Sequence, residues 1–500
     1  MNPYKKLRNN TLILGAGTFI SKVMVFFLMP LYTAYLSKSE YGTGELIMQT
    51  CNLIIPFACV GISTGLFRFA ADKEEDRRVI LASGFVVQLI GSAVFALIMT
   101  ALLVTGWERQ YVWLVLLYVL AANYQALFAQ FIRAQDKTRL FSVQGILNTG
   151  LVILFNVLFL TRFEMGMVGY VLSVIVANVI TTVFILFAGK VWKEIHFSLA
   201  DRKVMRRLVR YSLPMVLSTI FWWVTDISDH YFVRFMIGED VNGLYAAAYK
   251  IPTILVLIAS IFNEAWQLSA IMGQDDEKMT REMYSKIYRG YMSLSVLACS
   301  GLIFLCRIIS RILLDESFGE AWVFMPVLLI ATVFTNLDTF LGSVYQLKKK
   351  PLMSFVTSFL GAALNVMMNF ILIPIWGAMG AAVATALSYF IVWVFRTIDV
   401  RRLLRFEMQE IRIVLNLILL SAQAALMILE KPAGWYGINW AQALLLAAVV
   451  AFNLPYLLKN IRMMFENRRR KKPEETLTGA VPEPAEESQE SGQSGEKDDS

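Results

Sequence analysis

The chain has 500 residues, 57% of them apolar and only 17% charged, and its mean hydropathy is +0.57. A soluble protein of this size carries about 25% charged residues, so there is too little polar surface to coat a set of water-soluble domains. The formal net charge of +8 does not indicate a nucleic-acid partner, because a phosphate-binding patch needs a soluble scaffold with interleaved polar residues.

The expected fold is therefore an all-α polytopic membrane protein. A hydrocarbon core about 30 Å thick takes about 20 apolar residues per helix. In chain order, spans are predicted at 11–36, 46–70, 79–107, 110–132, 140–161, 165–189, 212–237, 245–271, 288–309 and 322–347. The charge-free run 351–395 is too long for one crossing and divides at Pro374-Ile375-Trp376-Gly377. Spans at 413–430 and 432–458 bring the expected count to 14. The first apolar stretch follows Lys5, Lys6 and Arg8 but is longer than a signal-peptide core, so it reads as an uncleaved helix.

Basic residues in the connections set the orientation. With loops assigned alternately to two sides, one side collects 35 Lys and Arg and the other 5. A single missed or invented span would scramble that asymmetry, so both termini are expected in the cytoplasm. Residues 473–500 hold nine acids and one base, Lys497, with few apolar groups, and are expected to be disordered.

The long basic loop after the sixth span suggests two halves of the same orientation. Glu40-Tyr41-Gly42 parallels Val241-Asn242-Gly243 at an offset of 201, and Gly166 and Gly169 parallel Gly377 and Gly380 at an offset of 211. The expected organisation is an N-terminal six-helix lobe (1–188), a cytoplasmic basic amphipathic linker (189–211), a C-terminal six-helix lobe (212–398), two extra helices (399–460), and a basic stretch with the acidic tail (461–500). In the linker, Arg202, Lys203, Arg206, Arg207 and Arg210 alternate with Val204, Met205, Leu208 and Val209, the pattern of a helix lying at the inner leaflet.

Ionisable residues at mid-span cost about 2.5–3.5 kcal/mol each on insertion scales, so they mark a polar cavity or a partner. Lys22 lies near the middle of the first span. The seventh carries Asp226, Asp229, His230 and Arg234 at spacings expected to share one face, the eighth carries Lys250 and Glu264, and the tenth carries Asp338. Lys22, Arg234 and Lys250 are the candidate substrate-binding cations. Asp226, Asp229, Glu264 and Asp338 are candidates either for coupling a cation or for structural ion pairs, Asp229 with Arg234 among them. Arg68, Arg133 and Arg396 sit near span ends and are expected to snorkel. Cys51, Cys59, Cys299 and Cys306 all fall in apolar spans and read as packing residues. No catalytic triad, metal-ligand cluster or phosphate-cradling loop is found, and neither a cofactor nor an enzymatic activity is expected.

Several segments resemble bacterial oligosaccharide flippases. They are Gly17-Thr18-Phe19-Ile20-Ser21-Lys22, Leu28-Met29-Pro30-Leu31-Tyr32-Thr33 and Ser39-Glu40-Tyr41-Gly42, then Gly243 to Pro252 and Phe262 to Gln267, and Asn365 to Ser388 with its Asn-x-x-x-Asn and Gly-Ala-x-Gly-Ala-Ala patterns. The similarity covers essentially residues 8–460 and is carried mostly by small and apolar residues. It implies the polysaccharide branch of the multidrug/oligosaccharidyl-lipid/polysaccharide flippase superfamily, with two lobes around a central cavity in the bacterial plasma membrane. The implied substrate is an undecaprenyl-diphosphate-linked oligosaccharide moved from the inner to the outer leaflet, with Lys22 and Lys250 meeting the diphosphate. Membrane lipids, and glycosyltransferases or a polymerase of the same pathway, are the implied partners. A drug/cation antiporter of the same superfamily is the nearest alternative. A membrane-bound polysaccharide polymerase or ligase is a more distant one, expected to carry a larger outer loop rich in Arg and His.

Overall fold

The computed structural model describes the backbone of residues 27–72, 74–104, 109–271, 277–348, 350–429 and 440–477. Within that backbone, the side chains at 104, 214–215, 217–222, 225–226, 261–271, 277–279, 346, 351 and 459–477 are outside the description. All the regular structure among the described residues is helical. A first set comprises α1 (Met29–Tyr35), α2 (Lys38–Ala58), α3 (Ile62–Ala70), α4 (Arg77–Val104), α5 (Arg109–Ala134), α6 (Thr138–Val157) and α7 (Gly166–Ala188). A second set comprises α8 (Arg202–Met236), α9 (Glu239–Ile271), α10 (Glu277–Leu313), α11 (Met325–Leu347), α12 (Pro351–Trp376) and α13 (Ala378–Leu403); α14 (Glu410–Leu429) and α15 (Trp440–Leu477) follow.

Eleven of the described helices are long and apolar enough to cross a membrane, or twelve if α2 and α3, bent by 55° at a short break, form one span. Two of the expected spans fall outside that number. Most of 11–36 lies outside the described residues, and 212–237 is the later part of α8. The expected span 46–70 differs from the structure in two ways. Its helix begins at Lys38, because Ser37 and Glu40 form a reciprocal capping box. It then breaks where Val60 (φ 53°) and Gly61 (φ 57°) turn left-handed.

The linker is also corrected. After short 3₁₀ turns at Val191–Lys193 and Phe197–Leu199, its basic residues form the first turns of α8 itself rather than a separate surface helix. At 1.5 Å per residue, the 35 residues of α8 run about 52 Å, well beyond a 30 Å core, so the basic turns project out of the apolar layer.

Within the first set, α7 packs on α5 and α6; within the second, α13 packs on α11 and α12, and α8 on α12. The sets meet chiefly where α2 crosses α9. That crossing depends on two glycines: a Cβ on Gly42 would lie 2.8 Å from the Gly243 nitrogen, and one on Gly243 would overlap the Lys38 carbonyl oxygen. These are residues at the 201 offset, touching one another. Gly166 and Gly377, at the 211 offset, both adopt positive φ (55° and 60°) in the tight turns before α7 and α13. α14 and α15 attach to α10 through buried Arg412, which donates to Ser293 Oγ at 2.9 Å and Asn453 Oδ1 at 3.0 Å, with its guanidinium 3.7 Å from the centre of the Tyr456 ring. All four cysteines are free and buried.

Candidate functional site

The seam between α2 and α9 holds the polar chemistry. Lys250 Nζ of α9 reaches Glu45 Oε1 of α2 at 2.7 Å, and Tyr170 of α7 donates to the same oxygen at 2.5 Å. The Glu45 side chain is only 6% exposed and that of Lys250 31%, so the carboxylate depends on this pair far more than the ammonium does. Tyr32 and Tyr41 pack around Tyr170, with ring centres 4.6 and 6.0 Å away, and wall the carboxylate off on the first-set side.

Closer to the N-termini of α2 and α9, Arg234 donates to Thr43 Oγ1 at 3.1 Å and pairs with Glu239, whose other oxygen accepts from Ser39 Oγ at 2.6 Å. Asn242 donates to the Gly42 carbonyl at 3.3 Å and faces His230 Nδ1 at 3.0 Å. The backbone N–H of Asp315 adds a bond to Thr33 Oγ1 at 3.0 Å. These contacts tie the two sets together at the end where the Lys/Arg-poor connections lie.

A second cluster lies inside the second set. Asp229, fully buried, accepts from Asn369 at 2.7 Å and Asn365 at 3.1 Å on one oxygen, and from Tyr245 at 3.0 Å and from Thr385 on the other. Ser228 Oγ donates to Asn365 Oδ1 at 2.5 Å and fixes that amide's orientation. Four neutral donors from α9, α12 and α13 thus surround one carboxylate, the arrangement expected when a buried charge has no ionic partner.

The Asp229–Arg234 ion pair, one of the two readings of these residues, is not formed, and Arg234 pairs with Glu239 instead. Five residues rotate 140° around a helix, so Asp229 faces α12 and α13, whereas Arg234, 40° from His230, faces α2. Asp338 sits apart from both clusters on α11. Neither of its carboxyl oxygens accepts a hydrogen bond, and Arg396 of α13 donates to its backbone oxygen at 2.8 Å. Arg396 is corrected from its expected snorkelling role, since it is 1% exposed and also donates to Thr357 at 2.9 Å and Ser358 at 3.2 Å. Arg68 and Arg133 are exposed, the latter over the rings of Phe67 and Phe141. Lys22 lies outside the described residues, as do the side chains of Asp226 and Glu264. Among the described residues, no group of three or more His, Cys, Asp or Glu converges.

The sequence reading missed Glu45, because it assigned 37–45 to a connection. The Ser37-x-x-Glu40 capping signature starts the helix at residue 38 and carries Glu45 two turns into it. Asn365, Asn369, Thr385 and Tyr245 stood in segments noted for their family resemblance, with no role attached.

Helices alone, a polar seam between two sets related by sequence offset, and buried charges inside the apolar layer define a multi-pass transporter-type membrane fold. Solved structures agree: the chain superposes on an inward closed conformation of the lipid II flippase MurJ with TM-score 0.64 at 14% identity, covering 91% of this chain and 99% of that one. It superposes on an inward-facing MATE-family multidrug transporter of the MOP superfamily with TM-score 0.62 at 14% identity, covering 79% and 98%. The sequence profile of the polysaccharide biosynthesis protein family matches residues 7–267, just over half of the chain, and the chain belongs to that family. An uncharacterized membrane protein of Methanocaldococcus jannaschii is 21% identical over 78% of this chain and 83% of its own length. A probable low-salt glycan biosynthesis flippase of Haloferax volcanii, Agl15, is 24% identical over 37% of this chain and 40% of its own.

Proposed function

We propose that this protein flips lipid-linked oligosaccharides, carrying undecaprenyl-diphosphate-linked glycans from the inner to the outer leaflet of a bacterial plasma membrane for polysaccharide and cell-envelope assembly. The carrying observation is Lys250, a cation held at the seam between the two helix sets of a polysaccharide biosynthesis family member. A sugar needs a wet polar passage, a diphosphate needs positive charge, and the lipid tail stays in the bilayer.

In this reading the halves 1–188 and 212–398 act as lobes, with 14 spans and both termini in the cytoplasm, which the 35-to-5 bias of basic residues supports. The Lys250–Glu45 pair and the Gly42–Gly243 crossing close the lobes at the outer end. Rocking opens that end by breaking the pair, and a bound diphosphate competes with Glu45 for Lys250. Lys22 and Arg234 are assigned to the same cationic path.

Asp229 is assigned to coupling. The Asn369 amide and the Thr385 and Tyr245 hydroxyls can each turn an oxygen lone pair inward while Asn365 stays fixed by Ser228, so the set that hydrogen-bonds the carboxylate suits a monovalent cation as well. Asp226, Glu264 and Asp338 remain candidates for the same role. The Asp229 cluster also favours the second reading, a drug/cation antiporter, because that activity likewise requires a buried carboxylate.

The test is a Lys22→Ala/Lys250→Ala double variant. With expression and membrane insertion intact, it should stall polymer export while leaving synthesis of the lipid-linked precursor unchanged; normal export would reject the assignment.

A further inference from the structure

A groove of about 1360 Å³ lies between α2, α4 and the first turns of α8. Its walls are apolar, and Phe57 of α2 with Ile90, Val94 and Ile98 of α4 stand exposed along it. At the α8 end it is lined by Arg202, Lys203 and Arg206, all exposed, and among the described residues none of the three forms an ion pair. The groove's one acid, Asp201, uses its carboxylate as the α8 N-cap, accepting the Lys203 N–H at 2.6 Å. Neighbouring Arg207 faces elsewhere, 2.7 Å from Glu75 and 4.6 Å from the Phe69 ring centre.

Topological anchoring by basic residues requires charge near the membrane surface but no concave apolar wall beneath it. Here the cations cap a groove larger than the roughly 300–1,000 Å³ of a drug-sized site. Long apolar walls ending in three cations and one carboxylate, a net positive end, match an amphiphile with acyl chains and an anionic phosphate head. A zwitterionic head would bring an ammonium group against the same cations.

We propose that this groove binds an anionic phospholipid, with its acyl chains between α2 and α4 and its phosphate on Arg202, Lys203 and Arg206. The proposal uses none of the residues assigned to transport, so it stands whether or not the flippase reading does.

The experiment is native mass spectrometry of the full-length protein, purified in a neutral detergent and mixed with equal amounts of phosphatidylglycerol and phosphatidylcholine of matched chains. The wild type should retain phosphatidylglycerol over phosphatidylcholine by about tenfold, given the electrostatic attraction each base contributes near an anionic head. Arg202→Ala/Lys203→Ala/Arg206→Ala should bring the ratio to within about twofold of unity. Ile90→Trp, which fills the groove and keeps every charge, should lose one bound phosphatidylglycerol. Unchanged elution volume and unfolding midpoint establish that each variant is folded. A wild-type ratio in the triple variant, or full occupancy in Ile90→Trp, would overturn the proposal. So would displacement of phosphatidylglycerol by an equimolar polyprenyl phosphate, which would give the groove to the transported lipid instead.

Discussion

Replacing either partner of the Glu45–Lys250 pair removes the same ion pair, yet the two losses should differ. Lys250→Ala leaves a carboxylate 6% exposed that still accepts from Tyr170 but has lost its cation, the stranded-charge case that costs about 3–5 kcal/mol. Glu45→Gln keeps an acceptor for Tyr170 and leaves Lys250, already 31% exposed, able to turn to water, so its cost should be about 1 kcal/mol. The Glu45→Gln/Lys250→Ala double variant should lie close to Glu45→Gln alone, because the stranded charge is gone. Equilibrium unfolding in mixed micelles across the four proteins measures this, and the double-mutant cycle should give a coupling of about 3–5 kcal/mol. Costs that add to within about 0.5 kcal/mol would show that the two side chains do not interact and would refute the seam as described.

Asp229→Asn should abolish any increase in thermal midpoint that sodium gives the wild type; an equal sodium shift in both proteins would remove Asp229 from coupling. Gly243→Ala drives a methyl group into the Lys38 backbone carbonyl and should destabilise by about 1–3 kcal/mol, read as a lower unfolding midpoint. Arg396→Met strips three bonds from a buried network and leaves the Asp338 carboxyl without its neighbouring cation, costing about 3–5 kcal/mol, whereas Arg68→Met on the exposed face should stay within about 0.5 kcal/mol. Similar costs for these two arginines would contradict the burial of Arg396.

The apolar layer was legible because a run of uncharged residues can be read without knowing its neighbours, and most predicted spans coincide with helices. The α2–α3 break was not, since Cys59, Val60 and Gly61 are as apolar as the helix around them and the break shows itself only in φ. The basic run at 202–210 patterns as an amphipathic helix, but its continuation into Arg202–Met236 was not legible, because amphipathicity gives no information about whether the next turn continues. Within the site, Lys250 stood out as a charge in a span, while Glu45 was hidden by a boundary misplaced by eight residues. Their pairing across 205 positions is a tertiary fact that one sequence does not contain. Arg396 was misread for the same reason: its place near a span end suggests the interface, but Thr357, Ser358 and the Asp338 carbonyl converge on it from helices distant in sequence.

The central claim is transport of a lipid-linked glycan, and the most direct measurement is the leaflet distribution of such glycans after the gene is deleted. The account predicts that undecaprenyl-diphosphate-linked oligosaccharide builds up in the inner leaflet while polymer at the surface falls, with both reversed by the intact protein. Unchanged surface polymer together with lost resistance to cationic drugs would contradict it and establish the antiporter in its place.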